Sequence, residues 1–104
     1  MRFSELTKRA LVIKKKYSKL QNNNGTKEWT REQLMQGFVG DIGDLTKLVM
    51  AKQGLRKIEN VDDKLAHELS DCLWSVIVLA DSYKVNLEKS FIRTMNELEK
   101  RIDA

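Results

Sequence analysis

Two acidic doublets, Asp41-Ile42-Gly43-Asp44 and Glu68-Leu69-Ser70-Asp71, interrupt stretches that otherwise carry the periodicity of buried helix. In each, the carboxylates are three residues apart, close to one helical turn, so both project from nearly the same side. Burying four such charges without partners is prohibitive, and the chain offers no obvious set of buried cations to neutralise them. A divalent cation resolves the conflict. Magnesium takes oxygen ligands, keeps several waters and is commonly shared between a few carboxylates and the phosphates of a substrate. Acidic pairs at this spacing are also common on solvated helix faces, but here both doublets border apolar stripes.

The elements that must position these groups are four helices. From about Ser4 to Gln21, Leu6, Ala10, Ile13, Tyr17 and Leu20 form one apolar stripe, and Asn22-Asn23-Asn24-Gly25 stops the helix. The second begins with Thr30 as N-cap, Gln33 completing a capping box and Trp29 placed to staple against Leu34, and runs to about Gln53 before Gly54. Its inward stripe is Leu34, Phe38, Asp41, Leu45 and Leu48, so a carboxylate stands where the pattern calls for an apolar residue. Gly37, Gly40 and Gly43 form a row on the same helix, fitted either for tight helix packing or for close approach of a ligand beside the carboxylates.

Asn60 is the expected cap of a third helix to about Lys84, with Leu65, Leu69, Cys72, Val76, Leu79 and Tyr83 as its stripe and Glu68 and Asp71 at its border. Asn86 caps a fourth helix to about Ile102, whose apolar face is Leu87, Phe91, Met95, Leu98 and Ile102. Short connections favour antiparallel neighbours. The expected fold is therefore an all-α antiparallel bundle of about four helices, a single domain over residues 1–104 completed by oligomerisation.

Composition agrees and excludes alternatives. There is no proline, 41% of residues are hydrophobic and 33% charged, as expected of a helical globular protein. The longest purely apolar run, Val76 to Ala80, is too short to span a bilayer, and the start lacks a secretory apolar region, so the expected compartment is the cytoplasm. The single cysteine, Cys72, forms no intrachain disulfide and reads as a small buried thiol. A net charge of +4 suits an anionic ligand.

Trp29 to Ile102, with Gly40-Asp41-Ile42-Gly43-Asp44-Leu45 and Glu68-Leu69-Ser70-Asp71-Cys72-Leu73-Trp74 as its marked segments, resembles the MazG-like nucleoside triphosphate pyrophosphohydrolases of the all-alpha superfamily. In that family Glu-x-x-Glu on one helix and Glu-x-x-Asp on the next bind magnesium; the corresponding residues are Asp41, Asp44, Glu68 and Asp71. Both glutamates of the first doublet are aspartates here, which shortens each reach by roughly 1.5 Å and brings the metal nearer this helix or bridges it through water.

The resemblance implies Mg2+-dependent hydrolysis of a nucleoside or deoxynucleoside triphosphate to the monophosphate and pyrophosphate, with Asp41 or Asp44 as the base that orients water. Lys47, Lys52, Arg56 and Lys57 are the candidates for phosphate contacts, and Trp29 and Trp74 for stacking on the base. The family's lysine and asparagine on the last helix have no clean counterpart; Arg93 and Asn96 are the nearest substitutes. The family's habit of forming dimers and dimers of dimers implies a homodimer or homotetramer. His67 reads as a surface or interface residue, because neighbouring helix positions point about 100° apart.

Two rivals are set against this. A di-iron carboxylate bundle needs two Glu-x-x-His motifs, and the chain has one histidine. A non-catalytic basic helical module retaining the same fold is the stronger alternative. Such a module would bind nucleic acid or a partner helix; the basic residues, dispersed apart from Lys14-Lys15-Lys16, and the lack of a recognition-helix signature argue against nucleic acid.

Overall fold

A computed structural model describes residues 1–104 and contains four α-helices and no strands: α1 (Phe3–Asn23), α2 (Arg31–Lys52), α3 (Val61–Ser82) and α4 (Leu87–Asp103). Local chemistry sets their ends. Gly25, at φ +75°, turns the chain out of α1, with the Thr26 amide donating back to the Gln21 carbonyl at 3.0 Å. Gly54, at φ +79°, does the same after α2, where the Leu55 amide reaches the Met50 carbonyl at 3.0 Å.

The capping box at α2 is complete: the Gln33 amide donates to Thr30 Oγ1 at 3.2 Å and the Thr30 amide to Gln33 Oε1 at 2.9 Å. Asn86 caps α4 through the Lys89 amide, 3.1 Å away. Asn60 departs from expectation. It is left-handed, at φ 53°, and its side chain caps nothing, while Asp62 and Asp63 place negative charge in the first turn of α3.

The ends of α2 and α3 show how they pair. Lys52, closing α2, meets Asp62 at the start of α3 at 2.7 Å, and Arg31, opening α2, lies 4.8 Å over the ring of Tyr83 beyond the end of α3. The two helices are thus antiparallel along their length. α1 packs on α3 as well, tied by the Trp74 indole N–H donating to the Ala10 carbonyl at 3.1 Å.

Full burial is confined to Ala10, Leu48, Ser75, Ile77 and Val78. The α2 stripe Leu34, Phe38, Asp41, Leu45 and Leu48 does turn inward, each member being half-buried or better. The stripe expected on α3 is only partly buried: Leu69 and Tyr83 are exposed, whereas Ile77 and Val78 are the deepest residues. In contact with both α1 and α2, α3 buries a wider arc than a single stripe describes.

α4 makes only marginal contact with the other helices, and of its apolar face only Leu87 is partly covered. Phe91 and Ile102 stand 60% and 80% exposed, and Met35, Val39, Ile42 and Val49 leave a second apolar row open on α2. No helix is long and apolar enough to cross a membrane.

Candidate metal and nucleotide site

The inward stripe of α2 carries Asp41 to α3, and Asp44 follows one turn later at the margin of the same interface. Glu68 faces them from α3. Asp41, Asp44 and Glu68 can each place one carboxylate oxygen so that all lie within 4.8 Å of one another. Glu68 Oε2 is buried and has no hydrogen-bond partner.

An orphaned buried carboxylate oxygen beside two further carboxylates costs free energy unless a cation or proton satisfies it. Burial accordingly raises the Asp41 carboxyl above its ordinary value, with Asp71 and Asp44 adding repulsion and His67 opposing. Glu68 is raised in the same way, by burial first and then by Asp71, Asp41 and Asp44, again against His67. The donor set, all hard oxygen, fits a divalent cation such as magnesium.

Asp71 borders this group but stands outside it. Its Oδ2 lies 3.1 Å from His67 Nε2, one turn earlier on α3. Nothing in the spacing of the doublets reveals that contact, which depends on rotamers. Cys72 is half-buried behind the acids, and burial together with Asp41, Glu68 and Asp71 raises its thiol, which keeps it a protonated packing group.

The carboxylates lie on a divide between two cavities. One, of about 470 Å3, is lined by Asp44 and Glu68 together with Lys47, Lys64, Asn60 and His67. The other, of about 560 Å3, is walled by α1, α2 and α3; Asp41 and Asp71 line it beside Tyr17, Trp29, Leu34 and Trp74. Tyr17 meets Trp74 edge to face, with ring centroids 6.1 Å apart at 69°.

Trp29 rests over Gly37: a methyl group there would stand 2.9 Å from Trp29 Cζ3. Gly37 therefore serves the aromatic wall. Gly40 and Gly43 meet no neighbour within the chain, so tight packing of this chain's own helices does not account for these two positions.

Among the candidate substrate contacts, Trp29 and Trp74 line the aromatic cavity and Lys47 the polar one. Lys52 is paired with Asp62, and neither it nor Arg56, Lys57, Arg93 or Asn96 lines either cavity. Lys64 and Tyr17 are brought in by the fold. Lys64 reads in sequence as one of many surface lysines, and Tyr17 as a member of the α1 stripe.

Residues 30–103 match the family described as MazG nucleotide pyrophosphohydrolase domain. The chain is also similar to the "Gene 37 protein" of Mycobacterium phage L5, 37% identical over 71 residues that cover 64% of this chain and 61% of that protein. No solved structure matches.

Proposed function

Because the chain belongs to the MazG nucleotide pyrophosphohydrolase domain family, we propose that it hydrolyses a nucleoside triphosphate between the α and β phosphates, giving the monophosphate and pyrophosphate with Mg2+. The observation that carries this is the position of the carboxylates, with an aromatic cavity on one side and a cavity edged by Lys47, Lys64 and His67 on the other. A nucleotide has the same polarity: an aromatic base at one end and a polyanion at the other. Laid across the divide, it sets its first phosphates against the acids.

Asp41, Asp44 and Glu68 would hold the cation, with Asp71, now paired with His67, as the fourth acid beside them. When bound, magnesium neutralises developing phosphoryl charge and lowers the pKa of an attacking water. The chain's own groups do the rest. Asp41 or Asp44 orients that water and accepts its proton at a carboxylate oxygen left free of metal. Lys47 and Lys64 carry the phosphates of the departing pyrophosphate, and Trp29 and Trp74 enclose the base, excluding solvent from one end of the substrate.

The working unit in this proposal is a homodimer or homotetramer, in the cytoplasm where triphosphates and magnesium are at hand. Support comes from the apolar rows left open on α2 and α4. In such an assembly Arg93 and Asn96 of α4 contact nucleotide bound to a neighbouring copy.

The test is turnover of a panel of ribo- and deoxyribonucleoside triphosphates with magnesium by the wild type, Asp41→Asn and Glu68→Gln. Metal-dependent release of pyrophosphate by the wild type alone supports the proposal. Salt-sensitive binding of nucleic acid without any turnover would replace it with the binding-module alternative.

A further inference from the structure

The aromatic cavity has a polar rim that the proposed reaction leaves unused. Ser18 Oγ donates to Glu28 Oε1 at 2.8 Å, and Lys14 Nζ lies 3.8 Å from the same oxygen. Lys14, Ser18 and Glu28 all line the cavity, across from Trp74. Two anchors on one oxygen fix the carboxylate of Glu28, while its other oxygen has no partner within the chain. These residues lie on α1 and the loop before α2, ahead of the segment 30–103 that matches the family.

A carboxylate only accepts hydrogen bonds. At the free oxygen of Glu28, a base lying between Trp29 and Trp74 is therefore read by what it can donate. Adenine, cytosine and guanine present exocyclic amino groups. Uracil and thymine offer a single ring N–H flanked by two carbonyls, whose oxygens face the negative charge.

Resting on the reading that the aromatic cavity holds the base, we propose that Glu28 selects nucleotides with an amino-bearing base over those of uracil and thymine. A hydrogen bond to a charged group sets the scale at about tenfold in affinity, at the lower end because Glu28 is half-exposed. Ser18 is a positioning residue for that carboxylate.

The experiment is calorimetric binding of the α,β-methylene analogues of dATP, dGTP, dCTP and dTTP, with magnesium, to the wild type, Glu28→Gln and Ser18→Ala. The wild type is expected to bind each amino-bearing analogue about tenfold more tightly than the thymidine analogue. Glu28→Gln, whose amide also donates, is expected to close most of that gap by gaining affinity for the thymidine analogue, and Ser18→Ala to narrow it. Equal affinities in the wild type, or a preference that survives Glu28→Gln, overturn the role of Glu28 while leaving the site in place. Failure of every analogue to bind overturns the base cavity and this proposal together.

Discussion

His67 Nε2 and Asp71 Oδ2 are 3.1 Å apart across one turn of α3, and this contact sets Asp71 apart from the three carboxylates that converge beside it. His67 is largely exposed and Asp71 partly so, and solvent therefore leaves the contact weak. An i,i+4 pair of this kind is worth about 0.3–0.5 kcal/mol. His67→Ala is expected to release Asp71 and tighten magnesium binding about twofold, read by titration calorimetry.

Glu68 tests the fit of the cation. Its buried oxygen has no partner, so Glu68→Gln removes a charge that the metal-free chain accommodates at a cost. The variant is expected to melt about 2–5 °C higher than the wild type in chelator and to lose the stabilisation that magnesium gives the wild type. Thermal unfolding with and without the metal reads both.

The raised carboxyls of Asp41 and Glu68 give the metal-free chain a pH dependence of definite sign. The folded chain keeps protons that the unfolded chain has released, so the contribution of these groups is full below the ordinary carboxylate range, near pH 4, and is lost as pH rises through the raised values. In chelator, the part of the melting profile due to this pair is expected to fall as pH rises above about 4. Asp41→Asn/Glu68→Gln is expected to fall less than the wild type over that range.

Much of this architecture is legible in the sequence because it follows from local chemistry. Thr30 and Gln33 specify the start of α2, Gly25 and Gly54 its approach and end, and the intrusion of Asp41 into the stripe Leu34, Phe38, Leu45 and Leu48 marks the site before any fold is known. What depends on three-dimensional neighbours is not legible. Leu69 and Tyr83 fit a helical period but face outward, because period alone does not say how many helices α3 packs against. Lys64 is indistinguishable in sequence from Lys52, yet one lines the polar cavity and the other pairs with Asp62. Asn60 has the side chain of a cap and a backbone that forbids the role.

Gly37 links the fold to the aromatic cavity. Gly37→Ala gains about 1 kcal/mol of helix propensity but sets a methyl group against the Trp29 ring. Trp29 is half-exposed and free to swing away, so stability is expected to change by under about 1 kcal/mol. Tryptophan emission should shift to the red, and KM for nucleotide should rise with little change in kcat. An unchanged KM would remove Trp29 from the base site.

The uncovered faces of α2 and α4 bear on assembly. Sedimentation of the wild type is expected to give a dimer or tetramer at micromolar concentration, and Phe91→Glu, which puts a charge on the open α4 face, to shift it toward monomer with helicity retained. A monomeric wild type with full activity would confine the site to one chain.

The bond that is broken decides the matter most directly. Phosphorus NMR of a nucleoside triphosphate incubated with the protein and magnesium is expected to show nucleoside monophosphate and pyrophosphate growing in equal amounts, with Asp41→Asn slower by more than the roughly 10–100-fold typical of losing a group behind a metal ligand. Nucleoside diphosphate and inorganic phosphate as the first products, or turnover undiminished in Asp41→Asn, would contradict a reaction centred on these carboxylates.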